Sequence, residues 1–323
     1  EFGPGDSHKV EEIEDPVAGP GQVVVDIKAT GISFPDVLIV QGLYQFKPPF
    51  PFSPGSEISG IVSSVGEGVT LHKEGDRVMG SIGSGGLCER GAYSEHQLMP
   101  LPESMDFNTA AGFPLNYGTT YHAFKQRGEL KEGQSVLVLG AGGGLGITAI
   151  HIAKAMGAKV IAAASSQEKI DLCKKEGADE GIIYERDMDR DLQKKFSDQI
   201  KEATGGGVDM IYDLVGGDYA EPALRAIARH GKYLVIGFTA GIPKMPLNLT
   251  LLKECQIVGV FWGQFAGLDQ AENQQNFKEL FDLHAQGKIK PFVTETYSLD
   301  ESAKAIKTLE DRKVLGKVVV NME

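Results

Sequence analysis

Apolar residues are laid out along this chain in two textures. From about residue 10 to residue 110 they fall in short runs, GQVVVDIKATGI, SGIVSSVGEGV and GDRVMGSIG, each bounded by glycine. Valine and isoleucine runs between turn formers predict β-strands, and helical periodicity is scarce there. From Gly118 onward, strands and helices alternate. SVLVLG (135–140) and KVIAAA (159–164) are short and apolar throughout, with helices predicted near 146–156 and 167–176. GIIY (181–184), VDMIYDLV (208–215), KYLVIGF (232–238) and QIVGVFWG (256–263) continue the series, with helices near 191–203, 219–228 and 273–286. Continuously apolar strands between amphipathic helices predict a parallel sheet covered on both faces. The last segment, ending GKVVVNM, returns to the β-rich texture of the first. The expected fold is α/β: a β-rich domain of residues 1–113 and 288–323, with a doubly wound domain of residues 114–287 between its two parts.

The sharpest local motif is GAGGGLGITAIHIAK, which follows an apolar strand and opens a helix. That context is the one a dinucleotide fingerprint requires. Set on G-x-G-x-x-G, the pattern becomes Ala141, Gly143 and Gly146, within the turn Gly142, Gly143, Gly144, Leu145 and Gly146. Small residues there let the backbone approach a pyrophosphate, whose charge meets free amides at the helix N-terminus. An ordinary glycine-rich loop is the alternative. The next strand ends about twenty residues later, where an Asp or Glu would hold the ribose of NAD. Here that position is Ala164, followed by Ser165, Ser166 and Lys169. Hydroxyls and an ammonium favour a 2′-phosphate, so NADPH is the expected cofactor. The competing reading makes Ser165 a helix cap and Lys169 a solvated helix residue.

Composition narrows the picture. The chain has 323 residues and a formal charge of −12, with 41% hydrophobic residues. That is enough for two domains, and the acidity disfavours sequence-independent binding to nucleic acid. Three widely spaced cysteines predict no disulfide framework and a reducing compartment, the cytoplasm. The mitochondrial matrix is the alternative if a leader precedes EFGPG. No apolar run approaches the roughly 20 residues of a spanning helix, so no membrane partner is expected.

GISFPD, QGLY, PGSEISGIV, GDRV, GAYSEH, NYGTTYHAF, GAGGGLG, GVDMIYDLVGG, GFTAG and the closing GKVVV together resemble the medium-chain dehydrogenase/reductases. Within them the chain is most similar to the zinc-free quinone oxidoreductase, or zeta-crystallin-like, branch. The resemblance covers nearly the whole chain. It implies a GroES-like catalytic domain together with a Rossmann domain, and homodimers joined through the edge of the Rossmann sheet, where QIVGVFWG would lie.

Site residues follow from the same resemblance, position by position. Zinc-dependent relatives place a cysteine where this chain has Ser33, and their GHE histidine is replaced by Ser56. Serine is a poor zinc ligand beside thiolate or imidazole, so no metal is expected. Asn116 and Thr120 match residues near the nicotinamide, and Tyr184 a tyrosine near the 2′-phosphate. Val215, Gly216, Phe238 and Thr239 stand at strand ends facing the cofactor. Phe261 and Trp262 are expected beside the nicotinamide or in dimer packing. Lys317 matches a late basic contact to the cofactor, with a solvated lysine as the alternative. Tyr44 matches a tyrosine lining the acceptor site, with a loop tyrosine packed against Phe46 and prolines as the alternative. Ser33 and Val40 depart from the branch, which often has asparagine and a basic residue there.

Without a Lewis acid, an acceptor that takes hydride readily fits best. Three readings stand: an NADPH-dependent quinone reductase, with Tyr44 and Ser33 at the reacting end; a reductase of conjugated enals, enones or enoyl thioesters; and a non-enzymatic NADPH-binding or RNA-associated protein.

Overall fold

The computed structural model describes residues 2–312 and 314–322. In chain order its strands are β1 (Gln22–Ile32), β2 (Glu57–Val65), β3 (Arg77–Ser81), β4 (Arg90–Ser94), β5 (Leu98–Pro100), β6 (Ser135–Leu139) and β7 (Lys159–Ala164). They continue with β8 (Glu180–Ile183), β9 (Val208–Asp213), β10 (Ile227–Val235), β11 (Gln256–Gly259), β12 (Val293–Ser298) and β13 (Lys317–Asn321). The chain divides into two compact units, Glu1–Leu115 with Pro291–Glu323, and Asn116–Lys290.

In the first unit β1 pairs antiparallel with β2, β4 and β13, and β12 joins β13 in parallel. Val23, Val25, Ile27, Ile58, Val62 and Val78 form its core. Register decides what lies near the end of β1. Ile32 faces Val318, so Lys317 falls beside Ser33, and Gly31 faces Glu57 on the other side. Gly31 has to be glycine, because a Cβ there would lie 2.0 Å from the Ala111 carbonyl oxygen. The segment after β1 turns into the helix Phe34–Val40, where Asp36 is buried. The final segment carries a helix, Ser302–Glu310, that the strand-like reading of it passed over. Ala305 and Ile306 pin this helix to the core of Ile32, Val37 and Val318.

The second unit holds a fully parallel sheet in the order β11-β10-β9-β6-β7-β8. Strand order reverses between β6 and β9, the switch point at which such sheets bind dinucleotides. Val136–Leu139 and Val160–Ala164 are buried at every position, so both faces of the sheet are covered, as their unbroken apolar runs require. Two boundaries differ from expectation. The helix expected over 219–228 spans Ala220–Arg225, because β10 already begins at Ile227. The strand expected over 256–263 stops at Gly259, and Trp262 opens the helix Trp262–Leu268. Trp262 is buried and its ring fills the space over Gly118, where a Cβ would come within 2.5 Å of it.

Candidate functional site

The glycine turn after β6 is shaped by close approaches. Gly140 has φ +75°, and Gly140 N–H and Ala141 N–H both donate to the Ala163 carbonyl at 3.0 Å. A Cβ on Gly146 would stand 2.4 Å from the Ala141 carbonyl oxygen, so the helix Gly144–Ala155 starts pressed against the strand end. Gly143 is the N-cap and brings no side chain to the free amides, which leaves them for an anion. Lys169 leans over the turn, with its stem 2.9 Å from where a Cβ on Gly142 would sit. The helix cap is Ser166, whose Oγ accepts from Lys169 N–H, rather than Ser165.

Beyond β7 and β8 lies a hollow of about 540 Å³ lined by Ser165, Tyr184, Glu185, Arg186, Asp187 and Leu192. Burial, and then the charge of Arg186, hold the Lys169 ammonium below its usual titration range. Two cations close enough to repel are relieved by a dianion bound between them. Ala164 is 1% exposed and supplies no carboxylate, although Glu185 and Asp187 stand on the rim. Arg186 was not singled out from sequence; a basic residue two places after Tyr184 is its signal. Tyr184 packs its ring on Tyr219 at 4.7 Å, and the Tyr219 hydroxyl donates to the carbonyls of Glu185 and Arg186 at 2.9 and 2.8 Å. The Arg186 backbone is thereby held beside the hollow.

The other strand ends of this unit are ordered by Asp213, a second residue missed from sequence. Its Oδ1 accepts from the N–H groups of Val215 and Gly216 at 2.8 and 3.0 Å, and its Oδ2 from the Tyr233 hydroxyl at 2.6 Å. Its signal was an acid ending an apolar strand before V-G-G. Thr239 Oγ1 donates to the Leu214 carbonyl at 3.2 Å, and Phe238 is 44% exposed. Thr120 is fully buried and shares a hydrogen bond of 2.9 Å with the Tyr212 hydroxyl, and Asn116 is 5% exposed. Phe261 is exposed, and Trp262 Nε1 donates to Asn273 at 2.9 Å.

In the first unit, the register of β1, β2 and β13 assembles a charged cluster away from water. Ser33, Asp36, Ser56, Glu57 and Lys317 are each at most 6% exposed. The Lys317 ammonium donates to Glu57 Oε2 and to Ser33 Oγ. Ser33 Oγ in turn donates to Glu57 Oε2 at 3.1 Å, and Leu115 N–H donates to Glu57 Oε1 at 2.7 Å. Asp36 Oδ2 accepts from Ser33 N–H at 2.8 Å and from the Ser56 hydroxyl at 3.0 Å. Burial raises the Asp36 carboxyl to about 6, against the pull of Lys317. The solvated reading of Lys317 is thus corrected: its stem runs past Gly31 and Gly112, and its head is ion-paired inside. Asp36 and Glu57 were legible only as parts of GISFPD and GSE. Half-buried Tyr44 has its hydroxyl pushed up by burial and by the charge of Asp36, while Phe46 is 52% exposed.

Among the described residues, no group of three or more His, Cys, Asp or Glu could hold a metal ion. Nor is any helix among them long and apolar enough to cross a membrane.

Residues 19–127 match the alcohol dehydrogenase GroES-like domain and residues 144–286 the zinc-binding dehydrogenase domain. The chain is 38% identical to a quinone oxidoreductase-like protein 2 homolog of Nematostella vectensis, over 94% of this chain and 82% of that protein. It is 35% identical to quinone oxidoreductase-like protein 2 of Bos taurus, over 97% of this chain and 89% of that protein. The solved structure of Escherichia coli quinone oxidoreductase complexed with NADPH superposes with a TM-score of 0.91 at 29% identity, covering 99% of this chain and 98% of that one. With both domains matched in order and relatives spanning nearly its whole length, the chain belongs to the medium-chain dehydrogenase/reductase superfamily, in its quinone oxidoreductase-like branch.

Proposed function

We propose that this protein is an NADPH-dependent reductase of quinones. The observation that carries the cofactor is a strand end, Ala164, that lacks a carboxylate, with Lys169 lying over the glycine turn and Arg186 lining the hollow beside Ser165 and Tyr184. The residues fit the group. The turn Gly142–Gly146 would take the pyrophosphate, which needs small residues and free amides. Ser165, Lys169, Tyr184 and Arg186 would hold the 2′-phosphate through charge-assisted hydrogen bonds. Asn116, Val215, Gly216, Phe238 and Thr239 lie toward the nicotinamide end in this reading. The bound cofactor supplies hydride. NADPH in the complex of the Escherichia coli relative agrees with this.

The choice of acceptor in this reading is supported by the first unit. The Ser33 and Ser56 hydroxyls, at the positions where zinc-dependent relatives carry metal ligands, are spent on Glu57 and Asp36. The activation of a carbonyl then rests on hydrogen bonding, with Tyr44 the candidate donor. A quinone accepts hydride under those terms, and the curated relatives carry that name. NADPH oxidation against ortho-quinones, para-quinones, enones and enoyl thioesters tests the reading. Preference for quinones supports it, and preference for thioesters moves the assignment to enoyl reduction. NADPH binding without turnover of any acceptor replaces it with a non-enzymatic role. In the same assay Lys169→Ala and Arg186→Ala each raise the KM for NADPH tenfold or more and leave that for NADH unchanged.

The partner that fits the second unit is another copy of this chain. Among the described residues strand β11 is paired on one side only, by β10, and Leu247, Leu251 and Leu252 near it in sequence are 70%, 76% and 68% exposed. An apolar sheet edge of this kind is covered by pairing. Light scattering that gives a monomer for the wild-type chain overturns this part.

A further inference from the structure

The second unit buries a chain of titratable side chains that hydride transfer does not use. Tyr117, on the helix Pro114–His122, and His151, on the helix Gly144–Ala155, are at most 6% exposed. The Tyr117 hydroxyl lies 3.3 Å from His151 Nδ1, and His151 Nε2 lies 2.8 Å from Glu176 Oε2. Glu176 is the C-cap of the helix Gln167–Lys175. One imidazole therefore joins three helices.

The chemistry of the partners fixes the protons. A carboxylate offers only lone pairs, so His151 Nε2 carries the hydrogen and Nδ1 is left to accept. The Tyr117 hydroxyl, which burial pushes up and so keeps protonated, donates to it. Burial also holds His151 below the usual imidazole range; Glu176 pulls the other way and Lys290 adds a smaller push downward. The ring is then neutral at pH 7, with one partner of matching sense on each nitrogen. Packing alone does not call for a histidine here, since Ile147, Ile150 and Ile152 fill the same helix with apolar side chains.

The three helices are those that carry the cofactor subsites. The helix Gly144–Ala155 rises from the pyrophosphate turn about two turns before His151, and Thr148 between them donates to the Gly144 carbonyl at 2.9 Å. The helix Gln167–Lys175 starts at its cap Ser166 and carries Lys169, at the 2′-phosphate end. Asn116, toward the nicotinamide, directly precedes Tyr117. On the same helix Thr120 is tied to Tyr212 of β9, so that tie and the one from Tyr117 to His151 fix the helix at two points.

We infer that His151 is a positioning residue for the cofactor, setting the helix of Asn116 through Tyr117 and the helix of Lys169 through Glu176 against the helix of the phosphate turn. The inference rests on the NADPH reading. Helices move as stiff bodies, so a tie at one point of each governs the residues elsewhere along it. The two ties differ in what they control. Glu176 acts on the helix that meets the 2′-phosphate, which only NADPH has. Tyr117 acts on the helix that meets the nicotinamide, which NADPH and NADH share.

The test is fluorescence titration of both cofactors against wild-type protein, Tyr117→Phe, Glu176→Ala and Glu176→Gln. Glu176→Ala should weaken NADPH about fivefold, the size of one ordinary internal hydrogen bond, and leave NADH nearly unchanged. Glu176→Gln, whose amide oxygen still accepts from Nε2–H, should restore most of that loss. Tyr117→Phe should weaken both cofactors alike. A merely structural role for the network would lower unfolding stability without this split. Unchanged NADPH affinity in Glu176→Ala, or equal losses of both cofactors in it, overturns the inference. Nitrogen-15 NMR of the wild-type histidines, with the His151 signals assigned by their loss in His151→Gln, reads the network without relying on the stability of the Tyr117 and Glu176 variants. The Nε2–H form at pH 7 supports the inference, and an Nδ1–H form or an imidazolium overturns it. Wild-type protein that binds NADPH and NADH alike counts against the cofactor reading instead, so the two failures are told apart.

Discussion

Replacing Lys317 by methionine keeps most of the apolar stem between Gly31 and Gly112 and deletes only the ammonium. What remains is Glu57, whose side chain is 0% exposed, with two neutral donors where there had been three donors including a cation. Removing one partner of a buried ion pair costs about 3–5 kcal/mol, because the charge left behind is uncompensated. A ceiling comes from titration: an ordinary glutamate can be neutralised at pH 7 for about 4 kcal/mol, and at pH 5 for about 1 kcal/mol. The loss in Lys317→Met should therefore approach 3–4 kcal/mol at pH 7 and shrink to roughly 1 kcal/mol at pH 5. Lost packing would not depend on pH in this way. Urea unfolding at the two pH values, for Lys317→Met and for Lys317→Met with Glu57→Gln, separates the terms. The double variant should recover at least half of the pH 7 loss, since the introduced amide oxygen can still accept from Leu115 N–H. A single-variant loss below about 1 kcal/mol at pH 7, or one equal at both pH values, refutes the picture of a desolvated pair.

Three further outcomes follow from particular contacts. Gly146→Ala places a Cβ 2.4 Å from the Ala141 carbonyl oxygen, so the phosphate turn has to move; fluorescence titration should find NADPH binding weakened at least tenfold. Asp213→Asn keeps an acceptor but weakens the hold on Val215 and Gly216. It should raise the KM for NADPH several-fold with a smaller change in kcat, in steady-state assays. For Asp36, the folded carboxyl titrates near 6 against 3.8 in the unfolded chain, so the folded state binds the proton more tightly. Its contribution is present below about pH 4 and lost as pH rises through about 6. Across that window Asp36→Asn should flatten a decline in unfolding free energy of about 3 kcal/mol.

The Rossmann unit was legible because its signals are local. Buried strands such as SVLVLG and KVIAAA are apolar at every position, and the glycine turn joins strand to helix within a few residues. Boundaries failed where neighbours decide them. Trp262 reads as a strand residue by propensity but turns into a helix to cover Gly118, a contact across 144 positions that no window sees. In the site, Ala164 was readable as a missing acid, whereas the approach of Arg186 to Lys169 depends on β7 and β8 lying side by side. The cluster of Ser33, Asp36, Glu57 and Lys317 is set by sheet register. Lys317 lies 284 residues from Ser33, and its burial follows from β13 closing against β1. A lone lysine ahead of a valine run carries no mark of that, which is why a solvated lysine stood as its alternative.

The central claim is that the second unit selects the phosphorylated nicotinamide cofactor through paired cations and a missing carboxylate. Titrating the wild-type protein with NADPH and with NADH, at low and at physiological salt, tests it most directly. One to two charge-assisted contacts of about 1.5–3 kcal/mol each predict NADPH bound at least roughly tenfold tighter, with the advantage narrowing as salt rises. Equal affinities at low salt, or tighter binding of NADH, would contradict the account.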